Sequence, residues 1–174
     1  DAPSAARQGI EPGTRVMITN RNGSVTITGI DTAEVTATAR TERDAQVVAV
    51  EIIRNDSGGI QISPAATARG RVLLDVRLPK TALLGTVEVP KGDVRITGVD
   101  GDTRILSGSG DVQVGLAARV TINAGSGSVV VDGASGAVYI ESGSGNLAIS
   151  NVAGEVVFRA GSGDVNIHHV SGAV

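Results

Sequence analysis

Not one cysteine occurs in the 174 residues, so neither a disulfide framework nor a thiolate metal site can be built. Aromatic rings are nearly missing, Tyr139 and Phe158 being the only two. A core without large rings must be thin, with small aliphatic side chains facing each other across it. No apolar run approaches the ~20 residues of a membrane-spanning helix. Nor is there a basic block. Thirteen arginines are scattered through a chain of net charge −3, and with stacking aromatics lacking as well, a nucleic-acid interface is excluded. No signal-peptide pattern opens the chain. A sequence that starts at Asp1 rather than methionine is expected to be a trimmed stretch of an extracytoplasmic protein, its native signal or anchor lying elsewhere.

Glycine, by contrast, is abundant and regularly placed. It opens a nine-residue phrase at Gly92, Gly101, Gly110, Gly127, Gly136, Gly145, Gly154, Gly163 and Gly172, with Ala118 in the one vacant slot. The second and fourth residues after it run Val94/Ile96, Thr103/Ile105, Val112/Val114, Val120/Ile122, Val129/Val131, Val138/Ile140, Leu147/Ile149, Val156/Phe158 and Val165/Ile167. Of these 18 positions only Thr103 is not apolar, and alternation at period two means a strand with one buried face. Two kinds of phrase alternate. One ends in Ser-Gly-Ser-Gly or Ala-Gly-Ser-Gly, at 107–110, 124–127, 142–145 and 160–163. The other carries an aliphatic plug seven residues after its glycine: Val99, Ala117, Ala134, Val152 and Val170. The full period is therefore 18 residues, with two short strands and two glycine corners per turn.

A single phrase cannot fold alone. Its two aliphatics contribute roughly 3–6 kcal/mol on burial, whereas ordering nine residues costs about 1–2 kcal/mol each in backbone entropy. Stacked about 4.8 Å apart, successive turns satisfy each other's backbone groups and enclose a continuous aliphatic core. The pattern predicts an all-β, single-stranded parallel β-solenoid over 91–174.

Earlier residues divide less cleanly. The small, polar stretch 1–12 reads as a disordered leader. Residues 13–40 contain three alternating segments, from Arg15, Gly23 and Glu34, which read as early coils. Residues 41–90 break the rhythm with longer strands over Val47–Ile53, Gly59–Ile62 and Arg71–Leu78, a turn at 55–59, a helical turn near Asp44–Val48 and a mobile loop over 64–70. This excursion is expected to close the N-terminal end as a mostly antiparallel sheet, because an uncapped coil would expose strand edges. The leader apart, 13–174 then forms one domain.

Gly23-Ser-Val-Thr-Ile-Thr-Gly, the Val-x-Leu-Pro strand at 76–79, Lys91-Gly-Asp-Val-Arg-Ile-Thr-Gly and the Ser-Gly-Ser-Gly-Asp-Val phrases resemble the bacterial putative-adhesin family. The resemblance covers about 13–174 and implies a β-solenoid domain of unknown function, usually exported or membrane-tethered, with no catalytic residues to carry over. An extra Val-Pro at 89–90 departs from the pattern.

Candidate chemistry is sparse. Asp93, Asp111 and Asp164 follow the glycine directly, but Ser128 and Asn146 interrupt their column, so the expectation is a polar side chain bonding corner amides rather than a calcium row. His168 and His169 are the only histidines, and no cysteine or fixed carboxylate joins them in sequence, so a surface pair is expected rather than a metal site or a Ser-His-Asp triad. A carbohydrate-active β-helix enzyme, lyase or glycosidase, is the alternative class. It would need long loops building a cleft, and 91–174 has none. No metal and no cofactor are expected. The outward column Arg104, Thr121, Tyr139, Val157 and, on the opposite side, Arg95, Gln113, Val130, Ala148, Asn166 turn apolar toward the C-terminus. Thr121, Tyr139, Val157, Val130 and Ala148 thus form a candidate interaction patch for an unknown protein or cell-surface partner. The C-terminal coil edge is a candidate for self-association.

Overall fold

A computed structural model of the chain describes residues 6–11, 13–56, 58–65 and 70–174. Among them, all regular structure is strand. The first nine strands are Ala6–Gly9 (β1), Arg15–Thr19 (β2), Val25–Ile30 (β3), Glu34–Thr41 (β4), Val47–Val48 (β5), Val50–Arg54 (β6), Ile60–Pro64 (β7), Val72–Pro79 (β8) and Leu83–Lys91 (β9). The periodic part supplies Val94–Thr97 (β10), Thr103–Ser109 (β11), Val112–Ala117 (β12), Val120–Ser126 (β13), Val129–Ala134 (β14), Val138–Ser144 (β15), Leu147–Val152 (β16), Val156–Ser162 (β17) and Val165–Val170 (β18).

Two sheets share these strands, taking them alternately from β8 onward. The first has the order β1-β4-β8-β3-β10-β12-β14-β16-β18, with β5 attached to β4. The second has the order β17-β15-β13-β11-β9-β2-β7-β6. From β9 onward every pairing is parallel, and the chain passes to the other sheet and back between partners. Val129 pairs with Leu147 and Val120 with Val138, eighteen residues on. One circuit is a residue shorter, with Val112 opposite Val129 and Thr103 opposite Val120. The deficit falls in a corner: Ala117 still faces Ala134, and the Gly136 amide donates to the Ala118 carbonyl. Ala118 thus occupies the glycine slot read from the sequence.

The facing assignment follows the alternation. From Val94 through Val156 all fifteen inward positions are buried, Thr103 included, as are the plugs Val99, Ala117, Ala134 and Val152. Only the last three, Phe158, Val165 and Ile167, are partly open, because β17 and β18 are the outermost strands of their sheets. The corners are tighter than the phrase suggests. Ser107, Ala124 and Ser142 are buried within strands, so the first residue of Ser-Gly-Ser-Gly belongs to the core and not to a corner. Only the last glycine turns, with φ between +104° and +115° at Gly110, Gly127, Gly145 and Gly163.

The N-terminal part differs from expectation in order and composition. β2 and β3 do join the parallel stack, but between non-local neighbours. β3 lies between β8 and β10, and β2 between β7 and β9, all parallel. The two look-alike phrases at Gly23 and Gly92 are therefore stacked directly, Val25 on Val94 and Ile27 on Ile96. β4, read as an early coil, instead runs antiparallel to β1, β5 and β8, while β6 runs antiparallel to β7. The strands that close this end are thus β1, β4, β5 and β6, and the parallel β7, β8 and β9 belong to the stack. Ala6–Gly9 is ordered as β1, which corrects part of the leader reading; residues 1–5 and 12 lie outside the described residues. The helical turn read over Asp44–Val48 is displaced: a single i to i+4 bond, from the Ala45 amide to the Thr41 carbonyl, closes the turn by which β4 hairpins into β5, and the Gln46 amide and carbonyl both bond Thr41. Of the loop expected over 64–70, residues 66–69 lie outside the described residues and Pro64 ends β7. At this junction the buried Asn20 amide donates to the carbonyls of Ser24 and Val72, at 3.1 and 2.9 Å.

Candidate functional site

The outer face of the second sheet is built from rows running across the strands. In the middle row Met17, Thr86, Arg104, Thr121, Tyr139 and Val157 follow one another on β2, β9, β11, β13, β15 and β17. Five interstrand steps make this row about 24 Å long. A first depression, about 380 Å³, runs from Arg15 and Met17 to Arg104, Arg119 and Thr121. A second, about 470 Å³, continues from Arg104 and Thr121 to Tyr139 and Val157. The two share Arg104 and Thr121, so they form one trough.

A β-bulge opens the trough at its N-terminal end. β9 carries an extra residue near Gly85, and the register slips against both neighbours, between Val16 and Met17 and between Thr103 and Ile105. Gly85 has a specific job there. The Arg15 side-chain stem crosses it so closely that a Cβ would sit 2.7 Å from Arg15 Cγ. Arg15, Arg104 and Arg119 are all exposed, and among the described residues the ion pairs are Arg71–Glu42 and Lys80–Asp31, neither of which involves them.

The proposed patch is divided by this geometry. Thr121, Tyr139 and Val157 are consecutive in the trough, with Tyr139 40% exposed. Val130 and Ala148 pair with each other on the first sheet, the opposite side of the core. They do not belong to the same surface.

The aspartate column is a hydrogen-bond ladder. The Ser24 hydroxyl accepts from the Asp93 amide, Asp93 Oδ1 from the Asp111 amide, Asp111 Oδ1 from the Ser128 amide and Asn146 Oδ1 from the Asp164 amide. Each oxygen satisfies the amide one circuit further on, which is the role expected from the interrupted carboxylates. Asp111→Ala should therefore cost about 0.5–1.5 kcal/mol through a lost bond to the backbone. Chelator should leave the melting temperature of the parent protein unchanged; a fall of several degrees would establish a structural cation instead.

The histidines also resolve. His168 lies beside Ser150, which lies beside Asp132, and the Ser150 hydroxyl and the Asn151 side-chain Nδ2 donate to Asp132 Oδ1 at 3.3 and 2.7 Å. The order is histidine, serine, aspartate. A catalytic triad needs the imidazole in the middle, taking the serine proton while the carboxylate orients it. Here serine has the carboxylate and histidine stands outside. His169 occupies a corner column of positive φ with Gly98, Leu116, Gly133 and Asn151, a backbone role that gives no ligand geometry. Sequence reasoning missed this column, since only two of its five members are glycine. It also missed Arg15, whose place beside Leu83 depends on non-local pairing.

The class defined by this architecture is an all-β scaffold of two parallel-rich sheets bearing ordered side-chain rows. Comparison with solved structures gives one likeness strong enough to show a shared fold. A putative cell adhesion protein from Clostridium sporogenes superposes with a TM-score of 0.58 at 15% identity, over 96% of this chain and 99% of that one. A putative adhesin from Bacteroides fragilis gives 0.43 at 10% identity, over 98% and 96%. A putative lipid binding protein from Parabacteroides distasonis gives 0.35 at 11% identity, over 98% and 94%. The first of these establishes a common fold along the whole chain, so the adhesin-type resemblance holds at the level of fold. No family model and no curated protein matches the sequence.

Proposed function

We propose that the two sheets are opposite faces of one β-solenoid, and that the chain is a non-catalytic, adhesin-like contact module working outside the cytoplasm. The observation that carries this reading is the unbroken register of the outward rows from β10 to β18. Over the same span the corners hold no insertion that could wall off a reaction cleft, and Ser150, the cross-strand neighbour of His168, has its partners in an unreactive order. A surface of fixed side chains spaced by the strand repeat suits contact with an extended partner better than turnover of a small one. Fluorescent beads coated with the protein should be retained on intact bacterial cells, and Thr121→Asp with Val157→Asp should lower retention while the melting temperature holds. Incubation with polysaccharide, ester and phosphoester substrates should give no product above buffer. Turnover of any of these, lost on substitution of an outward residue, would replace the contact reading with a catalytic one.

A further inference from the structure

Resting on that reading, we propose that the trough on the second sheet binds a carboxylate-bearing polysaccharide, a polyuronate chain. Three guanidinium groups converge on it in a protein of net charge −3. Arg15 on β2 and Arg119 at the start of β13 are three interstrand steps apart, about 14 Å, and Arg104 on β11 lies between them. Asp102 lines the same depression, so the net charge there is +2 from three arginines and one aspartate. Guanidinium is the group that pairs with carboxylate in a planar, two-point geometry, and its weak hydration favours such pairing at a surface. Without ion-pair partners among the described residues, these side chains are free to make it.

The spacing selects among polyanions. Exposed Glu88, Glu141 and Arg159 stand on the next outward row, so the positive surplus of this face is confined to the trough and gives a densely charged strand such as a nucleic acid no continuing basic track. One carboxylate per residue of a stiff chain suits three arginines spread along the groove. The only tyrosine, Tyr139, lies further along the same groove and is 40% exposed, which makes an aromatic ring available for stacking on a sugar. An extended peptide fits less well. Peptides dock on sheets by adding a strand to an edge, and the arginine end of the trough crosses β2, β9, β11 and β13, interior strands whose backbone groups already pair on both sides. Only side chains are on offer there, β17 at the far end being the one edge the trough reaches. Gly85 completes the arrangement by letting the Arg15 stem lie flat across the bulge, which fixes where its head emerges.

The test uses the full chain with immobilised polygalacturonate, dextran and poly-glutamate. The protein should be retained on polygalacturonate and released by moderate salt, and it should pass through dextran. Arg104→Ala with Arg119→Ala should weaken binding tenfold or more, and Tyr139→Ala severalfold. Arg95→Ala, on the opposite sheet, should leave it unchanged. All four substitutions are at exposed outward positions, so melting temperatures should stay within a few degrees of the parent. Equal retention on dextran, equally strong retention on poly-glutamate, or undiminished binding by the double arginine variant would each overturn the proposal. Failure to bind polygalacturonate with cell retention intact would overturn the ligand and leave the contact module standing. Substrate turnover would remove the module itself.

Discussion

Replacing Ile122 by aspartate should leave no folded protein at 25 °C. Ile122 is 1% exposed on β13, with Ile105 on one side and Ile140 on the other. Losing the aliphatic side chain from a close-packed site costs about 2–5 kcal/mol. The carboxylate that replaces it has no partner between two isoleucines, and burying it adds several kcal/mol more. A domain of this size has about 5–15 kcal/mol in hand. Thr121→Asp, one residue away and facing the trough, should change stability by about 0.5 kcal/mol or less. Far-UV circular dichroism with urea titration separates the two. Comparable damage from both would mean that the strand faces the other way.

Gly127→Ala should be costly for the addition of one methyl group. Gly127 turns its corner at φ +104°, which costs an L-residue about 1–2 kcal/mol. A methyl group there would also overlap the Gly110 carbonyl oxygen of the preceding circuit and crowd Asp111 Oδ1. The two backbones cannot both keep their places. The sum should be about 3 kcal/mol or more, read as a shift in the urea midpoint. Gly13→Ala isolates the conformational part, since φ is +81° and nothing lies within 4 Å of the added carbon. If the two variants lost equal stability, close stacking of the corners would have no energetic weight.

What could be read from the sequence was whatever repeats locally. Alternation at Val112/Val114 or Leu147/Ile149 settles which face is buried, because neighbouring circuits carry the same instruction and reinforce it. The plugs at Val99 and Val152 were legible for the same reason. Glycine was legible as a marker but not in its reason. Gly127 needs its positive φ, whereas Gly125 has none, and a Cβ there would run into the Gly108 carbonyl of the adjacent circuit. The N-terminal order was not legible. Glu34-Val-Thr-Ala-Thr-Ala alternates as well as Gly23-Ser-Val-Thr-Ile does, and alternation cannot say whether a strand will pair parallel or antiparallel. Half of the trough was out of reach for a related reason. Tyr139 and Thr121 are one period apart, but Arg15 meets Leu83 only because β2 enters the stack between β7 and β9.

That entry also sets the order in which pieces of the chain can afford to meet. Val94 pairs with Val112 after 18 residues and with Val25 across 69, counted from the same strand. Loop-closure entropy grows as the logarithm of separation, so the longer closure costs about 1.2 kcal/mol more. Circuits after β10 can therefore add one at a time, each onto a neighbour just completed. β2 and β3 must wait until both of the strands that flank them have been made. The molecule thus has a slow end and a fast end, and the slow end is the one translated first.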